Sequence, residues 1–446
     1  MTKIRNFSIY LIDSPILFVC ISIVWLNRIF SFISSPNIVL TPDSYDMYSG
    51  VAFDFSKLSF LGHALRPWPT ALIFALSGLK AGLIFQLIIS GVASSLLLIT
   101  VNAIFQSKLL RVLTLISLLI ITSSADFVAW DMLLNIQSLT NSLIIFYFSF
   151  LILFIKKPNN NRFILLAFCS ILISIQRPAL FAVFGVVTAI SLIICKCYGR
   201  RLKISIFFIG ALFFVALPSY NQNLYWPATY NGTGVVAHLK DTSPISHEFG
   251  KYLKAQNTPN CILQFGTSAI WPNSKDFCPA GTEWARIDAV DALFKFSLKH
   301  PGSTLDLLAY SFFGITTNSS THYASAVSVL PQPIDSLFIG TRDPKSIGVS
   351  SNAEFYLYAP VYFLLIAYLY SRYHYRNQKQ LPFHKFLDLI VVTNFLSVLA
   401  IAPFLSSEWT RILEPNSLIF QISFTLAIIG RSGSGIGMED IVIAKT

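Results

Sequence analysis

Long apolar runs that recur along the whole sequence are the feature that most limits how this chain can fold. Apolar residues occupy 54% of the 446 positions and charged residues only 12%, so the chain lacks the polar side chains that a soluble protein needs on its surface. A helix requires about 20 mostly apolar residues to cross a hydrocarbon layer of roughly 30 Å, and runs near that length occur about ten times. The sequence therefore predicts an all-α polytopic membrane protein with about ten transmembrane helices. The predicted spans are 8–30, 82–105, 109–125, 139–155, 163–176, 178–195, 204–219, 355–370, 387–405 and 413–430.

The distribution of lysine and arginine orients these helices. On a soluble protein the formal net charge of +11 would favour nucleic acid as a partner, but here the cations cluster in alternate connecting segments, such as 156–162 and 196–203. The positive-inside rule assigns such segments to the cytoplasm. Since an even number of spans returns the chain to its starting side, we expect both termini to be cytoplasmic, in a bacterial inner (plasma) membrane. Nucleic acid is not an expected partner.

The predicted spans divide the chain into four parts. Residues 1–219 form an N-terminal transmembrane module whose first external loop covers 31–81, residues 355–430 carry the C-terminal helices, and 431–446 form a cytoplasmic tail. Segment 220–354, between spans seven and eight, is far longer than an ordinary connection. Clusters of Pro, Asn, Gly, Thr and Ser separate short amphipathic stretches within it, so we expect a small external (periplasmic) domain of mixed secondary structure.

Two features of the external segment bear on its structure. Cys261 and Cys278 are the two cysteines, of six in the chain, that this topology exposes to an oxidising compartment. A disulfide between them and two free thiols both remain open on sequence grounds. The stretch 284–299 carries apolar residues at helical spacing against charged ones, which predicts an amphipathic helix able to lie on the membrane.

A carboxylate directly follows the first predicted span. Asp43 lies in the run TPDSYDMY at 41–48, where the chain leaves the membrane, and an acid held at that position is a candidate site residue. Pro42-Asp43-Ser44 is also an ordinary helix start in which Asp43 would cap the first turn. The two roles are compatible, because a cap would fix the carboxylate at the membrane surface.

This run and three others resemble GT-C-fold glycosyltransferases of the protein-mannosyltransferase and aminoarabinose-transferase type. The matching runs are Pro42-Asp43-Ser44 after the first span, residues 63–69 (HALRPWP) before the second, Gln176-Arg177-Pro178 at a middle span, and residues 409–415 (WTRILEP) at the last span. Their order along the chain and their predicted side of the membrane agree with that family between residues 7 and 430. The resemblance implies a GT-C-like arrangement of the transmembrane helices.

The resemblance also implies a reaction. A sugar would pass from a polyprenyl-phosphate donor in the outer leaflet of the membrane to a glycan, lipid or protein acceptor on the external side, by inverting attack. Asp43 would be the catalytic base that takes the proton of the acceptor hydroxyl. Arg66, Arg177 and Arg411 would bind and stabilise the departing lipid phosphate, although an arginine at that depth can also simply reach the interface.

Further candidates lie close to these residues in the predicted topology. Asp46 lies one turn beyond Asp43, and Asp126 and Asp131 occupy the second external loop. These acids could bind the acceptor or hold a divalent cation through oxygen ligands; no other cofactor is indicated. Tyr45 and Trp68 could stack on the sugar, or belong to the belt of interfacial aromatic residues.

The sequence departs from the family pattern at two points. Gln137-Ser138-Leu139 stands where many relatives carry Glu-Ser-Leu, so a carboxylate is missing, and Ile412 rather than Tyr follows Arg411. Both differences bear on how the sugar and any metal ion would be bound.

Two other classes of protein share part of this pattern. An O-antigen or capsule polymerase would have a similar number of spans, a basic cytoplasmic side and functional arginines in a large external loop, but would not need an acid in the first loop. A transporter would be expected to carry charged or broken helices at mid-membrane in related halves. Asp13 and Asp388 are acids within predicted spans, but both lie near cytoplasmic ends and no internal repeat accompanies them.

Overall fold

In the computed structural model the described residues are mostly helical, as the apolar runs predict, with one antiparallel pair of short strands. The described residues fall into two compact units: the first contains those that lie within 15–194, 359–394 and 415–432, and the second those that lie within 232–308, 395–401 and 409–414. The full set of described residues is 15–34, 52–54, 59–61, 68–105, 107–133, 136–177, 180–194, 232–239, 243–256, 258–272, 274–308, 359–375, 382–401 and 409–432.

The N-terminal part of the first unit is a helical bundle. Helix α6 is its centre and packs against α3 and α7, while α1 packs against α3 and α4. Large apolar side chains of α1, such as Phe18 and Ile33, are exposed, which suits contact with lipid. The elements are α1 (Pro15–Ser34), β1 (Ala52–Asp54), β2 (Ser59–Leu61), α2 (Trp68–Ser77), α3 (Leu79–Asn102), α4 (Lys108–Ser123), α5 (Ala125–Asp131), α6 (Ile136–Lys156), α7 (Asn160–Gln176) and α8 (Phe181–Ile194). Strands β1 and β2 pair in antiparallel fashion, with Phe53 opposite Phe60.

Three helices among the described residues are long and apolar enough to cross a membrane. They are Pro15–Ile33 of α1, Leu79–Asn102 (α3) and Ile136–Lys156 (α6), with Asn161–Gln176 of α7 as a shorter apolar helix. The prediction of a mostly helical chain is therefore confirmed for these residues, and three of their helices are candidate membrane spans. The count of about ten spans stays a prediction, since the run 204–219 lies outside the described residues.

Hydroxyl side chains inside these helices bond to the preceding turn. Thr114 donates to the Leu110 carbonyl at 2.7 Å, and Thr140 donates to the Ile136 carbonyl at 2.8 Å. Such bonds satisfy polar groups within the helix itself, as a hydrocarbon environment requires. Serine and threonine can thus occur in apolar runs without breaking the helices.

Two breaks shape the ends of the bundle that carry the candidate residues. Gly78 separates α2 from α3 with a φ of 75°, a left-handed conformation that glycine adopts without strain. Helix α2 was not predicted from the sequence.

Arg177 ends α7 with a φ of −142°, because Pro178 disfavours helical geometry in the residue before it. The prediction of two helices across 163–195 is confirmed.

The described part of the second unit, 232–308, contains helices and turns around its own core. The elements are α9 (Ser246–Lys254), α10 (Asn260–Phe265), a 3₁₀ turn (Gly266–Ala269), α11 (Pro279–Ile287) and α12 (Ala289–Lys299). Phe249, Trp284 and Phe296 are buried in this core. A disulfide joins Cys261 to Cys278, which decides between the two alternatives that the sequence left open. The predicted limits 220 and 354 lie outside the described residues.

The predicted amphipathic helix at 284–299 is two helices. Asp288 separates α11 from α12. Leu293 and Phe296 are buried in the core of the unit, whereas Phe294 and Leu298 are 62% and 69% exposed. The buried face of this stretch therefore packs on its own unit, and its placement on a membrane stays a prediction.

The C-terminal helices are α13 (Ala359–His374), α14 (Pro382–Ile401) and α15 (Trp409–Ser432). The first unit contains α13, α14 as far as Asn394 and α15 from Pro415 onward. A pair of amides ties α14 to α15. Asn416 Nδ2 donates to Asn394 Oδ1 at 2.7 Å, and Asn394 Nδ2 donates to the Asn416 carbonyl at 3.0 Å. Both side chains are buried, so each amide satisfies the other where water is excluded.

Two glycines of the second unit give a matched test of this packing. At Gly232 a Cβ atom would stand 1.8 Å from the Ala285 carbonyl oxygen, whereas at Gly250 the nearest neighbour would be a Leu239 methyl at 3.7 Å. We expect Gly232→Ala to lower the free energy of unfolding by about 1–3 kcal/mol through overpacking. Gly250→Ala, inside α9, should raise it by about 0.5–1 kcal/mol. Thermal unfolding of the full chain in detergent measures both; equal effects would contradict the close approach of Gly232 to Ala285.

Candidate functional site

A buried ion pair joins α1 to the end of α5. Arg28 Nε lies 3.4 Å from Asp131 Oδ2, with side chains 2% and 1% exposed. Arg28 also donates to Ser90 Oγ on α3 at 2.7 Å and to the Val24 carbonyl at 2.9 Å. Ser138 on α6 donates to Asp131 Oδ1 at 2.6 Å. The two charges therefore face each other and each has further hydrogen bonds, although Asp131 Oδ2 itself accepts none among the described atoms.

Opposing effects act on the Asp131 carboxyl. Burial raises its pKa to about 6, while the Arg28 guanidinium and the hydroxyls of Ser138 and Ser90 hold the pKa below the value that burial alone would give. These contacts favour the ionised form of the carboxyl. It can serve as the counter-charge of Arg28.

A second group of polar contacts lies at the ends of α2, α6 and α7. Arg177 Nη2 donates to Gln137 Oε1 at 2.8 Å, and Gln137 Nε2 donates to Asn141 Oδ1 at 3.2 Å. Gln176 Nε2 donates to Thr70 Oγ1 at 2.8 Å. Gln137, Asn141, Gln176 and Thr70 are all buried and Arg177 is half-buried. Directional hydrogen bonds, and not only apolar contact, thus fix the guanidinium of Arg177.

These contacts bring separate parts of the sequence together. Asp131 at the end of α5 accepts a hydrogen bond from Ser138 of α6, and Gln137, the residue before Ser138, accepts one from Arg177. Thr70, which follows the run 63–69, holds Gln176. Three of the stretches singled out in the sequence, namely the second external loop, the Gln-Ser-Leu run and the Gln-Arg-Pro run, are therefore neighbours.

The structure describes the other predicted site residues only in part or not at all. Asp43, Asp46, Tyr45 and Arg66 lie outside the described residues. Three more belong to described helices but have side chains that are not described: Trp68 opens α2, Asp126 lies in α5 and Arg411 lies in α15. Within the described part of the chain, no three His, Cys, Asp or Glu side chains are grouped so that they could hold a metal ion.

Arg28 is the site residue that the sequence analysis missed. It lies in the predicted span 8–30, among apolar neighbours. A charged residue inside such a run rarely faces lipid and normally has a partner within the protein. That signal was present in the sequence, but nothing there identified Asp131 as the partner.

Comparisons of the chain with models of known protein families, with curated proteins and with solved structures find no match. The function is therefore argued from the residues and their contacts.

The ion pair can be tested through paired substitutions. Arg28→Met alone leaves Asp131 buried without its counter-charge, so we expect a loss of about 3–5 kcal/mol in the free energy of unfolding. The double variant Arg28→Met/Asp131→Leu removes both charges and should recover most of that loss, because apolar side chains of similar size can replace a buried pair. Thermal unfolding in detergent measures the cycle. A double variant no more stable than the single one would show that the pair is not a coupled unit.

Proposed function

We propose that this chain is a membrane glycosyltransferase that moves a sugar from a polyprenyl-phosphate donor to a glycan, lipid or protein acceptor. In this proposal the site faces the external side of a bacterial inner membrane and both termini are cytoplasmic. The observation that carries the proposal is the bond from Arg177 to Gln137, beside the Asp131–Ser138 contact. It brings together the Gln-Arg-Pro run, which resembles GT-C-fold enzymes, and the Gln-Ser-Leu run, which stands where many of those enzymes carry Glu-Ser-Leu.

Arg177 is assigned to the donor phosphate. As the sugar leaves, negative charge grows on the lipid phosphate, and a guanidinium held in place beforehand stabilises it. Gln137 is suited to holding the Arg177 guanidinium, because a neutral amide orients the guanidinium without cancelling its charge. The departure from Glu to Gln at this position is then compatible with phosphate binding.

Asp131 is assigned to support instead of catalysis. Its carboxylate is already bound by Arg28 and Ser138, and these contacts fix the start of α6, which carries Gln137. The catalytic base in this proposal is Asp43, on the strength of the resemblance. A carboxylate at the membrane surface can take the proton from an acceptor hydroxyl as it attacks the anomeric carbon.

Buried amide oxygens nearby support a hydroxyl-rich ligand. Gln86 donates through Nε2 to the Leu133 carbonyl at 3.0 Å, and Gln176 donates to Thr70. The Oε1 atoms of both glutamines are buried and have no partner among the described atoms. Buried acceptors normally find donors, and sugar hydroxyls are donors of the right kind.

The base is tested by Asp43→Asn, which keeps the shape and most of the capping ability of the side chain. We expect transfer from a radiolabelled polyprenyl-phosphate sugar, measured in membranes that contain the protein, to fall by about 10²–10⁴-fold. Protein abundance in the membrane is the control for folding. Near-normal turnover of the variant would remove Asp43 from the mechanism and favour the polymerase alternative, which needs no acid in the first loop.

The phosphate-binding role is tested by comparing two arginines at opposite ends of α7. Arg177→Gln should reduce kcat/KM for the lipid-linked donor by about 10²–10³-fold, as for the loss of one preorganised donor to transition-state charge. Arg162→Gln is the matched control, because Arg162 donates to the Leu153 carbonyl at 2.6 Å at the end predicted to be cytoplasmic. If both variants lose the same activity, the effect is one of folding, and Arg177 has no special part in the reaction.

A further inference from the structure

Charged side chains also meet at helix ends of the first unit that are predicted to be cytoplasmic. The C-terminal ends of α13 and α15 lie there beside the N-terminal end of α14. Asp388 on α14 accepts a hydrogen bond from Tyr368 Oη at 2.6 Å and pairs with Arg431 of α15. Arg372 Nη1 of α13 lies 4.0 Å from Asp388 Oδ2. One carboxylate thus faces two guanidinium groups.

The hydrogen bonds of this cluster are incomplete among the described atoms. Arg431 and His384 are each 6% exposed, and Arg431 Nη1 and His384 Nε2 are buried without a partner. A buried guanidinium N–H that lacks an acceptor calls for an explanation, and a bound anion or water is the usual one.

The net positive charge of this cluster favours an anion as its ligand. The carboxylate of Asp388 is engaged by Tyr368 and Arg431, and the additional charge of Arg372 leaves the cluster positive, which disfavours a metal ion. Guanidinium groups bind phosphate oxygens well because their N–H donors match the geometry of the oxyanion. Arg372 is 50% exposed, so it lies where a ligand can reach the buried pair.

We propose that Arg372 and Arg431, held in place by Asp388, bind a phosphate group where α13, α14 and α15 meet. The shared chemistry is a phosphate oxyanion, carried either by an anionic phospholipid of the adjacent leaflet or by free phosphate. Basic pockets between transmembrane helices on the cytoplasmic side bind phospholipid head groups in this way. The site is independent of the proposed sugar transfer and lies on other helices than Arg177.

The purified full-length chain in a neutral detergent provides the test. The probes are phosphatidylglycerol, diacylglycerol with the same acyl chains, and inorganic phosphate, with bound molecules read by native mass spectrometry and stability read by Tm. We expect phosphatidylglycerol to bind and raise Tm while diacylglycerol does not. Arg372→Gln should weaken binding about tenfold, the effect of losing one charge-assisted hydrogen bond. Lys108→Gln, an exposed cation at the start of α4, is the matched control and should bind as the unaltered chain does.

The outcomes separate the two sources of phosphate. Binding of phosphatidylglycerol that depends on Arg372 identifies a lipid site; stabilisation by inorganic phosphate alone, with the same dependence, identifies a site for a soluble phosphate. Equal binding of diacylglycerol, or an Arg372→Gln variant that binds like the unaltered chain, would overturn the proposal. Since Arg431→Gln alone would leave Asp388 buried without its main counter-charge, the double variant Arg431→Gln/Asp388→Asn is the second check and should also lose binding.

Discussion

The ion pair between Arg28 and Asp131 is the contact on which the arrangement of the N-terminal helices depends. A guanidinium within an apolar bundle is tolerated only where an opposite charge and hydrogen-bond acceptors meet it. Asp131, Ser90 and the Val24 carbonyl supply these. Because they belong to different helices, the requirement fixes α1, α3 and the end of α5 relative to one another. Apolar packing alone would permit sliding, whereas matched charges permit one arrangement.

The same pair reaches the candidate site through consecutive residues of α6. Ser138 donates to Asp131, and Gln137 accepts from Arg177. The start of α6 is therefore bonded to the Asp131 carboxylate through Ser138 and to the Arg177 guanidinium through Gln137. A site that binds a phosphate in a defined place needs such a supporting layer, since a guanidinium on a long side chain is otherwise free to reorient. Burying the Arg28 guanidinium is unfavourable by itself, but its ion pair with Asp131 helps to position the start of α6.

The sequence predicted the helices well because apolar runs of spanning length have few other structures open to them. The short helix α2 escaped prediction, since ten residues are too few for a span and only the conformation of Gly78 separates them from α3. In the site, Asp131 and Arg177 were both named from the sequence, but their partners were not. Arg28 lies far from Asp131 along the chain, and Gln137 was noted only as a departure from a family pattern. Contacts of this kind depend on how helices pack, and a single sequence does not record that.

Two buried acids of the first unit show how charge balance separates structural pairs from binding sites. Asp131 meets one arginine, so the charges of that pair balance. Asp388 meets two, so its cluster keeps positive charge. A transporter would need an acid that can exchange a proton or an ion near the middle of the membrane. Asp388 instead lies close to a helix start, with its carboxylate bound by Tyr368 and Arg431. This arrangement favours a fixed counter-ion that shapes an anion site over a relay for transport.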